Sequence, residues 1–330
     1  MKNSESLSLP AHPYTRDEIY TDYDLSHHAD IHNHCTPFSP DASQSIDEQI
    51  AWMRSLGFRN HILTDHYDKG HLDANGTISL ERDRERYPKI EDEPARPGEW
   101  IFDVYQYFEV LQAKQKELAE GKDPFDLLIG IELGYLPEIK DDLNAMVERW
   151  PFDQVIGSAH SYDNQEIYAA RSFYDLGKDA SYTFYLERLD EIVRELDIDI
   201  LGHFDYVTRY NLYKQPRFRY EEFPDQFDML FNSMIDHGVS LEINTGTQVR
   251  TLGAPSPQRS YSLSEIDLPD PLLLKRYREL GGELISVGSD AHHFTQGGRL
   301  YKENLAYLES LGYEHVFYFR KRQPVAVPIR

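Results

Sequence analysis

Short apolar runs rich in β-branched residues recur along the chain, and most are followed by a stretch with the hydrophobic spacing of an amphipathic helix. Alternation of this kind is typical of βαβ units and a parallel sheet. The predicted strands are Ala29–His34, His61–Asp65, Leu127–Leu133, Gln154–Ala159, Ile198–His203, Val239–Asn244, Leu284–Ser289 and, last, His315–Phe319. The predicted helices are Ser45–Leu56, Ile139–Glu148, Ser181–Leu196, Pro224–His237, Pro271–Leu280 and Leu300–Leu311. Seven or eight such units favour a barrel over an open dinucleotide-type sheet, and the sequence contains no G-x-G-x-x-G motif.

One polar stretch interrupts this alternation. Tyr67–Trp100 is rich in charged residues and proline, has no strand pattern, and follows the second predicted strand directly. Trp100–Glu120 then predicts a long amphipathic helix. An insertion at this end of a barrel strand lies over the face where barrel active sites form, so it is either a lid or a solvated loop. We expect residues 1–330 to form a single barrel domain with an insertion at about residues 67–100.

Composition and charge narrow the classes of function. Hydrophobic residues make up 40% of the chain and charged residues 28%, which is globular composition. The net charge of −23 disfavours binding to nucleic acid or to an anionic membrane surface. The single cysteine, Cys35, excludes an intramolecular disulfide and suits a reducing compartment. No apolar run is long enough for a signal peptide or a membrane span, so we expect a cytoplasmic protein. Its oligomeric state stays open.

Side chains that bind metals lie at the C-terminal ends of the predicted strands. The first strand ends in Asp30-Ile31-His32-Asn33-His34, where period-two alternation places Asp30, His32 and His34 on one face. The later strand ends carry His66, Glu132, His160, His203, Asn244, Asp290 and His292. The C-terminal strand ends of a barrel meet on one face, and imidazoles and carboxylates buried there need partners. A cluster of divalent ions, Zn, Mn or Fe, satisfies them at once.

The remaining histidines do not follow this placement. We expect them to be surface, core or loop residues: His12, His27, His28, His61, His71, His237, His293 and His315. His61 starts a predicted strand and therefore lies toward the far end of the barrel. Alternation turns Cys35 away from the face that His34 shares with the other ligands, so we expect a small buried residue there.

The ordered set of motifs resembles the PHP (polymerase and histidinol phosphatase) family from about residue 30 to residue 293. It comprises Asp-Ile-His-Asn-His at 30–34, Thr-Asp-His at 64–66, Gly-Ile-Glu-Leu-Gly at 130–134, Gly-Ser-Ala-His at 157–160, Gly-His-Phe-Asp at 202–205 and Ser-Asp-Ala-His at 289–292. Within the family it looks most like the histidinol-phosphate phosphatases, on the runs at 202–210 and 241–250.

The resemblance implies a distorted (β/α)7 barrel of the TIM type with two to three divalent metal ions at its C-terminal strand ends. It implies nine ligands: His32, His34, Asp41, His66, Glu132, His160, His203, Asp290 and His292. Glu132 would bridge one ion, held with His32, His34 and Asp290, to a second held by His160 and His203. His66 and His292 would hold the third. Many family members have a histidine where this chain has Asp41, the only candidate in its loop.

The activity that the resemblance implies is hydrolysis of a phosphate monoester, with L-histidinol phosphate of histidine biosynthesis as the expected substrate. The catalytic set would be His32, His34, Glu132, His160, His203, Asp290 and His292. Arg209 and Arg250 lie six residues past His203 and Asn244, where loops on the metal face would let them clamp the phosphate. Weaker candidates are Lys69, Arg171 and Arg299, and Asp205 or a metal-bound water could protonate the leaving group.

Two other readings stay open. The same centre could serve a phosphoesterase acting on a nucleotide or another small phosphate ester, because the acidic charge argues only against long nucleic acids. Alternatively, the barrel could be a non-catalytic metal-binding module. Loss of ligands would mark such a module, and only the Asp41 position departs from the family pattern.

Overall fold

Parallel strands follow one another in chain order around the molecule. The computed structural model describes residues 23–39, 41–68, 102–163, 165–167, 170–209, 213–250 and 268–330. The strands are β1 (Ala29–Asp30), β2 (Asn60–Leu63), β3 (His66–Tyr67), β4 (Asp126–Gly134), β5 (Gln154–Ser158), β6 (Ser161–Tyr162), β7 (Gln165–Glu166), β8 (Ile200–Leu201), β9 (Ser240–Asn244), β10 (Ile285–Gly288), β11 (His315–Arg320) and β12 (Gln323–Pro328). The main sheet has the order β1-β2-β4-β5-β8-β9-β10, and β3 also pairs with β4.

The two ends of this sheet meet and close it. Asn33 and Ala291 form a parallel bridge. The Asp290 amide donates to the His32 carbonyl at 2.8 Å, and the His34 amide donates to the Ala291 carbonyl at 3.0 Å. The seven strands of the main path are all parallel, so the predicted (β/α)7 barrel is confirmed.

Helices occupy the connections between the strands and cover the barrel. They are α1 (Ile46–Ser55), α2 (Val104–Glu120), α3 (Lys140–Arg149), α4 (Arg171–Tyr174), α5 (Lys178–Glu195), α6 (Pro224–His237), α7 (Thr245–Arg250), α8 (Pro271–Glu279) and α9 (Tyr301–Ser310). Local sequence sets several of their ends. Ser45 and Glu48 form a capping box at the start of α1. Pro224 opens α6, and Gly238 ends it in a left-handed conformation with φ 68°.

The apolar face of each element is buried in one continuous core. Every residue of β4 after Asp126 is buried, as expected for a strand covered on both faces. Tyr107 of α2 is also buried, and its hydroxyl donates to the carbonyls of Leu63 and Gly130 at 3.2 and 2.9 Å. The helix is thereby fixed against two neighbouring strands.

The structure corrects several predicted boundaries. The second strand is interrupted at Thr64 and Asp65, and its end pairs separately as β3, so Tyr67 is a buried strand residue rather than the start of a polar loop. The helix predicted from Trp100 begins at Val104, because the Asp103 side chain caps it by accepting from the Gln106 amide. Residues 69–101, which carry most of the predicted insertion, lie outside the described residues, as does His12.

The last predicted strand is not part of the barrel. His315–Arg320 pairs antiparallel with Gln323–Pro328, and this hairpin packs against β10 and β5. Side chains at the starts of the barrel strands hold it, because Arg322 Nε lies 2.6 Å from Asp199 Oδ2 and Gln154 accepts from the Phe319 amide at 3.3 Å. A period-two pattern marks a strand without specifying its partner, which is why the sequence alone did not distinguish the two cases. Within the described ranges, no helix is both long and apolar enough to cross a membrane.

The buried histidine of β2 should make the fold sensitive to acid. His61 Nε2 lies 2.9 Å from Gln49 Oε1, and burial lowers the pKa of His61 to about 3 from 6.5. An unfolded chain takes up this proton near pH 6.5 whereas the folded chain does not, so stability is lost as pH falls through 6.5. Between pH 7 and pH 5, we expect this group to remove about 2 kcal/mol from the free energy of unfolding.

Denaturant unfolding at several pH values checks this. His61→Gln should show a shallower loss of stability toward pH 5 than the wild type, while the exposed His237→Gln should follow the wild type. Equal pH slopes in all three proteins would show that His61 does not carry the effect.

Candidate metal centre

The predicted ligands converge because the barrel closes where they begin. The ladder of β1 ends at Asp30, and the chain then runs beside the end of β10 through the backbone hydrogen bonds at His32 and His34. Asp290 follows β10 with φ 53°, a left-handed conformation that is uncommon for a residue with a side chain. The nine predicted ligands lie in one connected cluster at the C-terminal ends of the strands.

The carboxylate of Glu132 lies at the middle of the cluster and is fully buried. Its Oε2 lies 2.7 Å from Nδ1 of His66 and 3.2 Å from Nε2 of His32. Its Oε1 lies 2.9 Å from Nε2 of His203 and 3.2 Å from Nε2 of His160. Each oxygen therefore faces a different pair of imidazoles, which is the arrangement expected of a bridging carboxylate.

A second part of the cluster extends toward the surface. His34 Nε2 lies 3.3 Å from Asp290 Oδ1, and the His34 ring stacks on the His66 ring with 3.9 Å between centroids. Nε2 of His292 lies 2.8 Å from Asp41 Oδ2, and Nε2 of His66 lies 3.7 Å from the same oxygen. Asp41 therefore lies beside His66 and His292, the pair to which the family resemblance would add a further ligand.

Two buried carboxylates that the sequence analysis did not single out also belong to this region. Asp68 Oδ1 lies 2.9 Å from His160 Nδ1, and its Oδ2 lies 3.3 Å from His66 Nδ1. Glu242, in β9, has Oε1 2.8 Å from His32 Nδ1. Asp68 lies two residues after His66, the spacing that places side chains on one face of a strand, and Glu242 is an acid inside an apolar strand. Both features are visible in the sequence.

Asp30 and Cys35 lie outside the cluster, although both adjoin it in sequence. Asp30 is fully buried and accepts from the backbone amides of Ser289 and Gly298 at 2.8 and 2.7 Å. It holds the β1–β10 closure instead of facing the imidazoles with His32 and His34. The Cys35 thiol, also buried, donates to Asp65 Oδ2 at 3.3 Å, which agrees with its predicted structural role.

The carboxylates of the cluster favour positive charge beside them. Burial alone would lower the pKa of His32, but the carboxylates of Glu242 and Glu132 outweigh it and raise that pKa well above its ordinary value. Burial alone would raise the pKa of Glu132, but His32, His160 and His66 hold it well below its ordinary range. The pKa of Asp290 is likewise held low against the effect of burial, chiefly by Arg209. Ionised carboxylates in a buried site create a strong attraction for cations.

The side chains present fit divalent metal ions. Nε2 of His32, Nε2 of His34 and Oε2 of Glu132 are buried, and their short contacts with one another and with His66 and Asp290 are not well-directed hydrogen bonds among the described residues. Orphaned buried atoms of this kind are costly unless something else satisfies them. Among the described residues, four groups of three have ligand atoms within 4.8 Å of one another: His34–His66–His292, His32–His34–Asp290, His32–Glu132–His203 and His66–Asp68–His160. Imidazole nitrogen and carboxylate oxygen are donors for Zn, Mn and Fe.

A guanidinium group lies directly beside the cluster. The Arg209 side chain is only 2% exposed, and its Nη2 lies 2.8 Å from Asp290 Oδ2 and 2.9 Å from Asn244 Oδ1. Its Nε donates to Thr247 at 2.8 Å. Arg209 is therefore not a surface residue.

The other predicted arginines differ from Arg209. Arg250 ends α7, and its side chain lies outside the described part of the chain, as does Lys69. Arg171 does not reach the centre, since its side chain is 79% exposed and pairs with Asp175. Arg299 donates to the carbonyl of Ser289, the residue that precedes Asp290, at 2.6 Å.

Comparison with known proteins assigns the chain to a family. A model of the PHP domain matches residues 30–246, which is more than half of the chain. The chain belongs to the PHP domain family. The predicted membership is confirmed, and the matched region includes seven of the nine predicted ligands.

Relatives of this PHP protein include phosphatases. A probable histidinol-phosphatase from Clostridium acetobutylicum is 27% identical over 296 residues, which cover 89% of this chain and 97% of that protein. A histidinol-phosphatase from Lactococcus lactis is 29% identical over 199 residues, which cover 59% of this chain and 68% of that protein. The crystal structure of histidinol phosphate phosphatase from Lactococcus lactis, complexed with zinc, L-histidinol and phosphate, has a TM-score of 0.67 at 21% identity. It covers 90% of this chain and 98% of its own, so the two share a fold.

The position of Glu132 at the middle of the cluster yields a test of the ligand set. Glu132→Gln should lose more bound metal and more activity than Asp41→Asn, because Glu132 faces four imidazoles while Asp41 lies at the exposed edge. Elemental analysis of the purified variants, followed by removal of metal with a chelator, measures the difference. Greater damage from Asp41→Asn would mean that the bridging role is assigned to the wrong carboxylate.

Proposed function

We propose that this protein is a metal-dependent phosphomonoester hydrolase that converts L-histidinol phosphate and water to L-histidinol and phosphate, a step of histidine biosynthesis. The observation that carries the proposal is the buried cluster around Glu132 with the guanidinium of Arg209 directly beside it. A metal site next to a guanidinium group that can bind phosphate is suited to the hydrolysis of a small phosphate ester. The relatives from Clostridium acetobutylicum and Lactococcus lactis support the choice of substrate, because they are named a probable histidinol-phosphatase and a histidinol-phosphatase.

We infer that the centre holds two or three divalent ions, Zn, Mn or Fe. The proposed ligands are His32, His34, Asp41, His66, Glu132, His160, His203, Asp290 and His292, with Glu132 bridging. When bound, such ions lower the pKa of a water molecule and neutralise charge on phosphoryl oxygens.

The chain's own residues hold this ligand set in place. Ser158 donates to Glu132 Oε1 at 2.7 Å, which fixes the rotamer of the central carboxylate. Asp290 is held from the other side by Arg209 at 2.8 Å. Both carboxylates therefore keep their orientation without rearranging when an anion arrives, which is the preorganisation that phosphoryl transfer requires.

Arg209 is proposed to bind the phosphate. Its Nε and Nη2 are fixed by Thr247, Asn244 and Asp290, and Nη1 has no hydrogen-bond partner in the described parts of the chain. A planar group held on one side can offer its remaining N–H bonds to a phosphoryl oxygen at little entropic cost. Asp205, buried two residues past His203, is a candidate donor of the proton to the leaving oxygen.

A panel of esters tests the proposed substrate. With Mn or Zn present, L-histidinol phosphate should be hydrolysed with a higher kcat/KM than p-nitrophenyl phosphate or AMP, as measured by release of inorganic phosphate at matched concentrations. Chelation should abolish the activity, and added metal should restore it. A kcat/KM for AMP well above that for histidinol phosphate would identify a nucleotide phosphatase instead. Metal binding without hydrolysis of any ester would point to a non-catalytic module.

Replacing Arg209 tests the phosphate clamp. Arg209→Ala should lower kcat/KM by roughly 10²-fold or more, as expected for a charged hydrogen-bond donor in a desolvated site. Inhibition by inorganic phosphate should weaken in parallel, while the metal content stays at the wild-type level. Arg171→Ala, which removes an exposed arginine, serves as the control and should retain wild-type kinetics. A loss of metal together with activity would show that Arg209 acts by holding Asp290 rather than by binding phosphate.

A further inference from the structure

Glu242 is a fully buried carboxylate that reaches two of the proposed ligands without facing the middle of the cluster. Its Oε1 lies 2.8 Å from Nδ1 of His32. Its Oε2 accepts a hydrogen bond from the backbone amide of His203. His32 and His203 come from strand ends on different sides of Glu132, so a single side chain on β9 links both.

The contact with His32 decides which ring nitrogen faces the centre. An ionised carboxylate can accept hydrogen bonds but cannot donate them. Glu242 therefore favours the imidazole form of His32 that carries its proton on Nδ1. In the neutral form that a metal ligand must take, the lone pair of His32 is then on Nε2, the atom that lies 3.2 Å from Glu132 Oε2. A metal ligand must present a lone pair, and a hydrogen bond at the other ring nitrogen is the usual way to fix it.

The contact with His203 acts through the backbone. Because Glu242 accepts from the amide of His203, it fixes the end of the strand that carries this imidazole. Glu242 also accepts from Asn244 Nδ2 at 3.1 Å, and Asn244 Oδ1 in turn accepts from Arg209. The same carboxylate therefore connects two proposed ligands with the residue that orients the guanidinium.

The neighbouring strand leaves room for this contact. A Cβ atom at position 288 would overlap Glu242 Oε1 and would lie 2.7 Å from the Cβ of His32. Glycine at this position is what allows the carboxylate and the imidazole to meet in the tightly packed interior.

We propose that Glu242 is a positioning residue that fixes the tautomer of His32 and the strand end of His203, so that both imidazoles present Nε2 to the metal ions. The proposal rests on the metal centre of the proposed function. It does not depend on which ester is hydrolysed.

Zinc affinity of the metal-free protein, measured by competition with a chromophoric chelator, tests this role. Glu242→Gln is nearly isosteric, but its amide cannot accept from both His32 Nδ1 and the His203 amide, so one contact must be lost. We expect the Kd for zinc to rise 10- to 100-fold, the range typical of such supporting groups. At saturating zinc, kcat for the best ester should fall while KM changes little, since Glu242 does not touch the substrate.

Ser240→Ala is the matched control. Ser240 is equally buried on the same strand, and its hydroxyl bonds that of Ser286 at 2.8 Å, away from the ligands. It should keep the wild-type Kd for zinc. Thermal unfolding of the metal-free proteins distinguishes a loss of ligand orientation from a loss of stability, and Glu242→Gln should unfold near the wild-type temperature. Glu242→Asp is too short to span both contacts, so it should lose zinc affinity to the same extent as Glu242→Gln.

Wild-type zinc affinity and kcat in Glu242→Gln would overturn the proposal, as would a loss of affinity of equal size in Ser240→Ala. Failure of the wild type to bind zinc would remove the metal centre and this inference with it. If the wild type binds zinc but hydrolyses none of the esters, only the proposed function fails, because the affinities still decide the role of Glu242.

Discussion

The structure depends on one buried carboxylate. Glu132 lies in the middle of the C-terminal end of the barrel and is fully buried. An ionised carboxylate removed from water costs free energy unless positive charge or hydrogen-bond donors surround it. Imidazoles from different strand ends meet this need, with His66 Nδ1 at 2.7 Å and His203 Nε2 at 2.9 Å. Such an arrangement requires several strands to end at the same level around β4. Closure of a parallel barrel provides that, whereas an open sheet places its strand ends along a line.

The positions of the proposed ligands could be predicted because strand ends are visible in the sequence. An apolar run ending in a polar residue fixes where each side chain emerges, and the barrel rule then brings these ends together. This was enough to bring His160 and His203 to one face of the barrel, whereas Asp41, which is not at a strand end, was placed near His292 only by the family resemblance. What could not be predicted is which neighbour each atom faces, because that depends on rotamers and on the local path of the chain. Asp30 shows the difference: it shares the period of His32 but bonds the backbone of Ser289.

The order of the strands and helices was predicted more accurately than the residues at which they begin and end. Regular sheet pairing stops at Asp30 in β1, and the backbone groups of His32 and His34 beyond it bond the segment after β10. Hydrophobic patterning continues through this change, so it overestimates the length of the strand. The supporting side chains were missed for a related reason. Glu242 lies within an apolar run, whose pattern predicts a strand but does not show that a buried acid needs a partner.

Exposure within the cluster indicates how a substrate reaches it. The side chains of His32 and Glu132 are fully buried, whereas those of His292 and Asp41 are 25% and 55% exposed. The centre is therefore open on the side of Asp41 and His292 and closed on the side of β9, where Glu242 lies. Because Arg209 is fixed to Asp290, an anion entering from the open side would meet the proposed metal ions and the guanidinium together. The net charge of −23 is in keeping with the small ester proposed as substrate, because repulsion by an acidic protein grows with the charge of an approaching anion.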